Sequence, residues 1–71
     1  MILDNRGLEP PQPMMRTLAA IERLDDGQPL VILNDRRPMF LFEQLDKMGY
    51  SYFTEQLEDG SYKVTISRKA G

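Results

Sequence analysis

Apolar and polar residues alternate along this chain in two different periods, and the places where the period changes divide it into strands and helices. Met1 to Leu3 is a short apolar stretch of strand type, and Asp4-Asn5 reads as the turn that closes it. Gly7 supplies a backbone conformation that side chains disfavour, and Leu8 is expected to tuck into the core beside the next element. Met14, Thr17, Leu18, Ile21 and Leu24 then recur at intervals of three and four, while Gln12, Arg16, Glu22 and Arg23 fall mostly on the opposite side. That is one apolar stripe on a helix. Pro11 and Pro13 fit its first turn, where a missing amide hydrogen costs little, so the helix is expected to begin near Pro11. Asp25-Asp26-Gly27 is expected to end it, with both aspartates in solvent and Gly27 as a left-handed cap.

After Pro29, the continuous apolar run Leu30 to Leu33 has the length and composition of a strand covered on both faces or central in its sheet. Asn34-Asp35-Arg36-Arg37-Pro38 repeats the earlier sequence of polar turn, basic residue and proline before a helix. In that second helix Leu41, Leu45 and Met48 form the inner face, Glu43, Asp46 and Lys47 the outer one, and Gly49 the cap. At most one of Phe40 and Phe42 can share the inner face. Ser51 to Leu57 reads as a third strand, and Tyr62 to Arg68 as a fourth, alternating Tyr62, Val64 and Ile66 with Lys63, Thr65 and Ser67. Asp59-Gly60 between them marks a hairpin. Lys69 to Gly71 is a frayed tail on this reading.

The order βαβαββ in one small core implies an α+β fold: a two-layer sandwich with two helices packed on one face of a four-stranded mixed sheet, residues 1–71 forming a single domain. Right-handed crossovers make the first two strands parallel if they pair, which places both helix N-termini at one edge. Helix N-termini favour anions. Arg6, Arg36 and Arg37 belong to the loops at that edge, with Glu9 and Asp35 among them. The functional reading is a polar pocket or docking patch of Arg6, Gly7, Glu9, Pro10, Pro11, Asp35, Arg36 and Arg37 that takes a carboxylate, a phosphate or an acidic partner segment. The structural reading has Asp4, Glu9 and Asp35 pairing with these arginines to pin the loops.

Composition removes several chemistries. With no cysteine and no histidine, thiolate nucleophiles, disulfides, Ser-His activation and His- or Cys-ligated zinc are all excluded. The five methionines fit core packing better than a soft-metal site, and the carboxylates lack the spacing of a metal loop, so no metal and no cofactor is expected. A net charge of −2 argues against nucleic acid as the partner. No apolar run reaches the roughly 18 to 20 residues of a membrane span, and the N-terminus lacks a basic-then-apolar leader, so a cytoplasmic protein, monomeric or weakly dimeric, is expected.

Leu3-Asp4, Arg6-Gly7-Leu8, Pro11 and Pro13 resemble the signature of the TusA/SirA sulfur carriers, Arg-Gly-Leu, any residue, Cys-Pro, any residue, Pro. The resemblance extends over essentially the whole chain and implies their fold. In that family the cysteine at the helix start carries a persulfide; here Pro10 stands in its place, which rules out that sulfur relay. Asn34-Asp35-Arg36-Arg37-Pro38, followed by Leu41, Leu45, Gly49 and Tyr50, is similar to a cysteine-less bacterial branch classed as a domain of unknown function. The leading expectation is therefore a non-catalytic binding or regulatory module for a partner protein or small anion. One alternative is an enzyme using Glu9 or Asp35 as acid or base. Another is an RNA-binding domain, suggested by the fold's resemblance to an initiation-factor domain and by tyrosines able to stack bases.

Overall fold

The computed structural model describes residues 1–25 and 27–68. The elements are β1 (Ile2–Asp4), α1 (Gln12–Ile21), β2 (Leu30–Asn34), α2 (Met39–Met48), β3 (Tyr50–Gln56) and β4 (Tyr62–Arg68). The strands form one mixed sheet in the order β1-β2-β4-β3. Parallel pairing sets Ile2 against Val31 and Asp4 against Leu33. Antiparallel pairing sets Asn34 against Tyr62 and Ile32 against Val64, and β3 joins β4 with Tyr52 opposite Ile66. Both helices cover the same sheet face, α1 over β2 and α2 over β3.

Strand alternation explains the division of the sheet. Leu30, Ile32, Val64 and Ile66 point to the helices and are fully buried, meeting Ile21, Leu41, Phe42 and Leu45. Each such side chain contributes roughly 1.5–3 kcal/mol by burial. Across the other face, Ile2, Val31, Thr65 and Phe53 lie in one register row, with Ile2 and Phe53 exposed at its ends.

Three expectations about element ends and faces change. Helix α1 stops at Ile21, not near Gly27: Arg23 N–H donates to Ala20 O (3.0 Å) and Leu24 N–H to Ile21 O (3.1 Å), the i−3 bonds of a tightened last turn. Gly27 does take a left-handed φ of 87°, but in a separate turn that Gln28 N–H closes on Asp25 O. Strand β3 begins and ends one residue earlier than Ser51 and Leu57. Met48 is 46% exposed, because the buried stripe of α2 is centred on Leu41, Phe42 and Leu45 and Met48 lies roughly 65° from that centre. The same rotation assigns the phenylalanines: Phe42 is 7% exposed and stacks on Tyr52 at 4.3 Å, while Phe40 is 78% exposed. Gly49 is the left-handed cap of α2, as expected. The expectations for Asp26 and for Lys69 to Gly71 lie outside the described residues.

Candidate functional site

Parallel β1 and β2 end at one edge, where both helices start, and the pairing of Asn34 with Tyr62 brings the β3–β4 hairpin to that edge as well. Three connections meet there: residues 5–11, 35–38 and 57–61. The hairpin's presence depends on strand order, which local sequence patterns do not reveal.

The edge is tied from below by three buried polar side chains. Asn5 opens the expected turn, its C=O accepting the Leu8 N–H (3.4 Å), and also adds one more bond to the β1–β2 pairing: its N–H donates to Leu33 O (2.8 Å), and alternation from Leu3 turns its side chain toward the helices, leaving it 1% exposed. Its Nδ2 lies 3.0 Å from Thr17 Oγ1, 3.2 Å from Asn34 Oδ1 and 3.3 Å from Pro13 O. Thr17 Oγ1 donates to Pro13 O (2.8 Å), so toward Asn5 it acts as the acceptor, which fixes which end of the carboxamide faces it. Asn5 Oδ1 is left buried without a partner.

Arg6 is a fastener of the edge. Its Nε and Nη2 donate to the two carboxylate oxygens of Asp4 at 2.9 Å each, and its Nη1 lies 3.5 Å from Asp59 Oδ2 in the hairpin. The guanidinium hydrogen bond holds the Asp4 carboxyl down at about 2, and Asp4 in turn raises Arg6. Arg16 Nη1 donates to Asp4 O at 3.1 Å. Asp59 is lowered chiefly by Ser61, whose hydroxyl and N–H donate to Asp59 Oδ1 at 2.6 and 2.9 Å. Of the expected pairings, only Asp4 with Arg6 forms. Asp35 Oδ2 accepts the Gly7 N–H at 2.7 Å, and Glu9 pairs with no arginine among the described residues. Gly7 takes a φ of 82°, the left-handed turn that aims this N–H at the second loop.

Above the tied floor lies an open groove of about 960 Å³. Gly7, Glu9, Pro10, Pro11, Asp35, Arg36 and Arg37 all line it; Arg6 does not. Leu8, Pro13, Met14, Met39, Phe40 and Leu41 make most of its walls apolar, with Asn5 and Asn34 among the lining residues. Leu8 is therefore half-buried in a groove wall rather than a member of the central core. Neither Arg36 nor Arg37 has a side-chain hydrogen bond or ion pair among the described residues.

The helix N-termini offer fewer donors than their position suggests. Pro13 has no amide hydrogen, and the N–H of Gln12 is spent on Glu9 O (2.9 Å). In α2 the N–H of Met39 donates to Arg37 O (2.9 Å). The guanidinium groups of Arg36 and Arg37 stand as donors at this groove beside the remaining first-turn amides. Among the described residues no cluster of three carboxylates is placed to hold a metal ion. No helix among them is long and apolar enough to cross a membrane.

The fold is that of a solved relative. A crystal structure of a SirA-like protein from Desulfitobacterium hafniense superposes with a TM-score of 0.82 at 28% identity, covering 93% of this chain and 95% of that one. No curated protein matches the chain. The match to the family described as uncharacterized conserved protein (DUF2249) runs over residues 2–68, so this chain, which has no cysteine, belongs to that family and carries a SirA-like fold.

Proposed function

We propose that the protein is a non-catalytic binding module whose groove, at the shared N-terminal edge of α1 and α2, takes a partner protein or a small anionic ligand. The observation that carries this is the division among the edge arginines: Arg6 is held by Asp4 and Asp59, whereas Arg36 and Arg37 stand unpaired among the described residues at an open, largely apolar groove. An unpaired guanidinium gains a charge-assisted, bidentate contact when a carboxylate or phosphate arrives. The chain has no cysteine, so the thiol chemistry of the sulfur carriers it resembles has no side chain to run on. Carboxylate catalysis has less support, because Asp35 is occupied by the Gly7 N–H and Glu9 is exposed to solvent. RNA binding has less still: the net charge is −2 and Arg6 and Arg16 are both engaged at Asp4. A cytoplasmic setting and a monomer or weak dimer complete the reading, the latter drawing on the modest apolar row of the open sheet face.

The test is a set of nitrogen-15 spectra of the protein in buffer, with acetate or inorganic phosphate, and in lysate of its own cells. Shifts or broadening confined to Gly7, Leu8, Asp35 to Phe40 and the Arg36 and Arg37 Nε resonances are expected in at least one condition. Spectra unchanged in all of them would sink the proposal.

A further inference from the structure

Resting on that reading, the walls of the groove narrow the ligand to one class. Pro11, Pro13, Met14, Met39 and Phe40 present apolar surface that a bare phosphate or carboxylate would leave in water. Of the first-turn donors that would favour such an ion, Pro13 has none to give and the N–H groups of Gln12 and Met39 are spent. At the floor, two carboxamides joined at 3.2 Å hold one free donor and one free acceptor: Asn34 Nδ2 makes no bond among the described residues, and Asn5 Oδ1 has no partner. In an extended chain the N–H and C=O of one residue face the same side, as they do when paired residues of a ladder exchange both bonds. The two asparagines hold one acceptor and one donor for such a residue. At the rim, Arg36 and Arg37 match an acidic side chain, while Glu9, exposed on the α1 side, disfavours a uniformly acidic run.

We infer that the groove binds an extended segment of a partner protein, in which one acidic side chain meets Arg36 and Arg37, large apolar side chains lie against Met39 and Phe40, and one residue's backbone N–H and C=O pair with Asn5 Oδ1 and Asn34 Nδ2. Asn5 Oδ1 has almost no accessible surface, so its bond forms as the groove walls yield to the bound chain. This is recognition of an extended peptide through main-chain bonds plus side-chain pockets, carried by two asparagines in place of a sheet edge.

A random decapeptide library selected on the intact protein tests this. Enriched peptides are expected to share one Asp or Glu beside large apolar residues. A synthesised member should bind at least tenfold more weakly to R36E/R37E, whose positions are exposed and whose Tm should match the wild type. Asn34→Asp keeps the oxygen that Asn5 uses and replaces the free donor by a carboxylate oxygen; it should weaken the peptide about tenfold as well. Neutral or basic consensus peptides, no enrichment over R36E/R37E, or full binding by Asn34→Asp would each overturn the inference. If acetate or phosphate moves the Arg36 and Arg37 resonances and no peptide is enriched, the peptide inference falls while the groove remains a small-anion site. If neither ions, peptides nor lysate act at the groove, both fall.

Discussion

Replacing Asn5 by alanine tests whether the buried polar triad holds the edge together. The substitution removes an Nδ2 that lies within 3.3 Å of Pro13 O, Thr17 Oγ1 and Asn34 Oδ1, of which its two hydrogens can serve two well. Two net hydrogen bonds are worth about 1–3 kcal/mol, and leaving the buried Asn34 Oδ1 without its donor adds a desolvation cost of about 1–3 kcal/mol. Against this, alanine also deletes the unpartnered Oδ1 of Asn5, whose burial already costs an amount of similar size. The terms leave a net loss of about 2 kcal/mol. A chain of 71 residues is expected to be stable by only about 4 to 11 kcal/mol, so the loss is a large share of the total. It corresponds to roughly 8–16 °C in Tm. Urea unfolding followed by far-ultraviolet circular dichroism measures it. A loss below about 0.5 kcal/mol would refute the claim that Asn5 ties β1 to α1 and β2. A double-mutant cycle with Thr17→Val sharpens the point, since partners in contact couple by about 0.5–3 kcal/mol whereas independent sites add.

Two further outcomes follow from the packing and the charges. Phe42→Ala should cost about 3–5 kcal/mol, because a buried ring stacked on Tyr52 is lost, whereas Phe40→Ala should change stability by no more than about 0.5 kcal/mol; equal effects in chemical denaturation would contradict the orientation of α2. The Asp4 carboxyl, lowered from 3.8 to about 2 in the folded state, stabilises the fold above pH 3.8 and ceases to do so as pH falls through about 2, and Asp59 acts in the same direction. The unfolding midpoint should therefore decline between about pH 4 and pH 2, and the decline should be shallower in Asp4→Asn; an identical profile in that variant would remove Asp4 as a source.

What the sequence displays, and what it hides, follows from the range of each interaction. Pro11, Pro13 and Gly49 act through their own backbone geometry, and the alternation of β4 is local, so these features are legible in the residues themselves. The loops at the helix starts can be placed on one edge because a parallel crossover has one hand. The structural role of Arg6 is hidden for the opposite reason: its second partner, Asp59, is brought near by the insertion of β4 between β2 and β3, a choice made by the whole sheet. Asn5 carries a usable signal, since counting by two from Leu3 turns it inward, but the turn-forming chemistry of its side chain points the other way. Phe40 and Phe42 are ambiguous in sequence because a small rotation of the helix decides between them, and the stacked Tyr52 lies on another element. The unpaired state of Arg36 and Arg37 likewise depends on where Glu9 and Asp35 point, which composition does not express.

The edge arginines divide their labour, Arg6 building the edge and the Arg36-Arg37 pair serving a ligand. Thermal unfolding and peptide binding of Arg6→Ala and R36E/R37E, measured side by side, examine that division without intermediaries. Arg6→Ala should lower the Tm, while R36E/R37E should keep the wild-type Tm and lose at least tenfold in affinity for a library-selected peptide. A Tm lowered by R36E/R37E with Arg6→Ala neutral, or peptide affinity untouched by R36E/R37E, would contradict it.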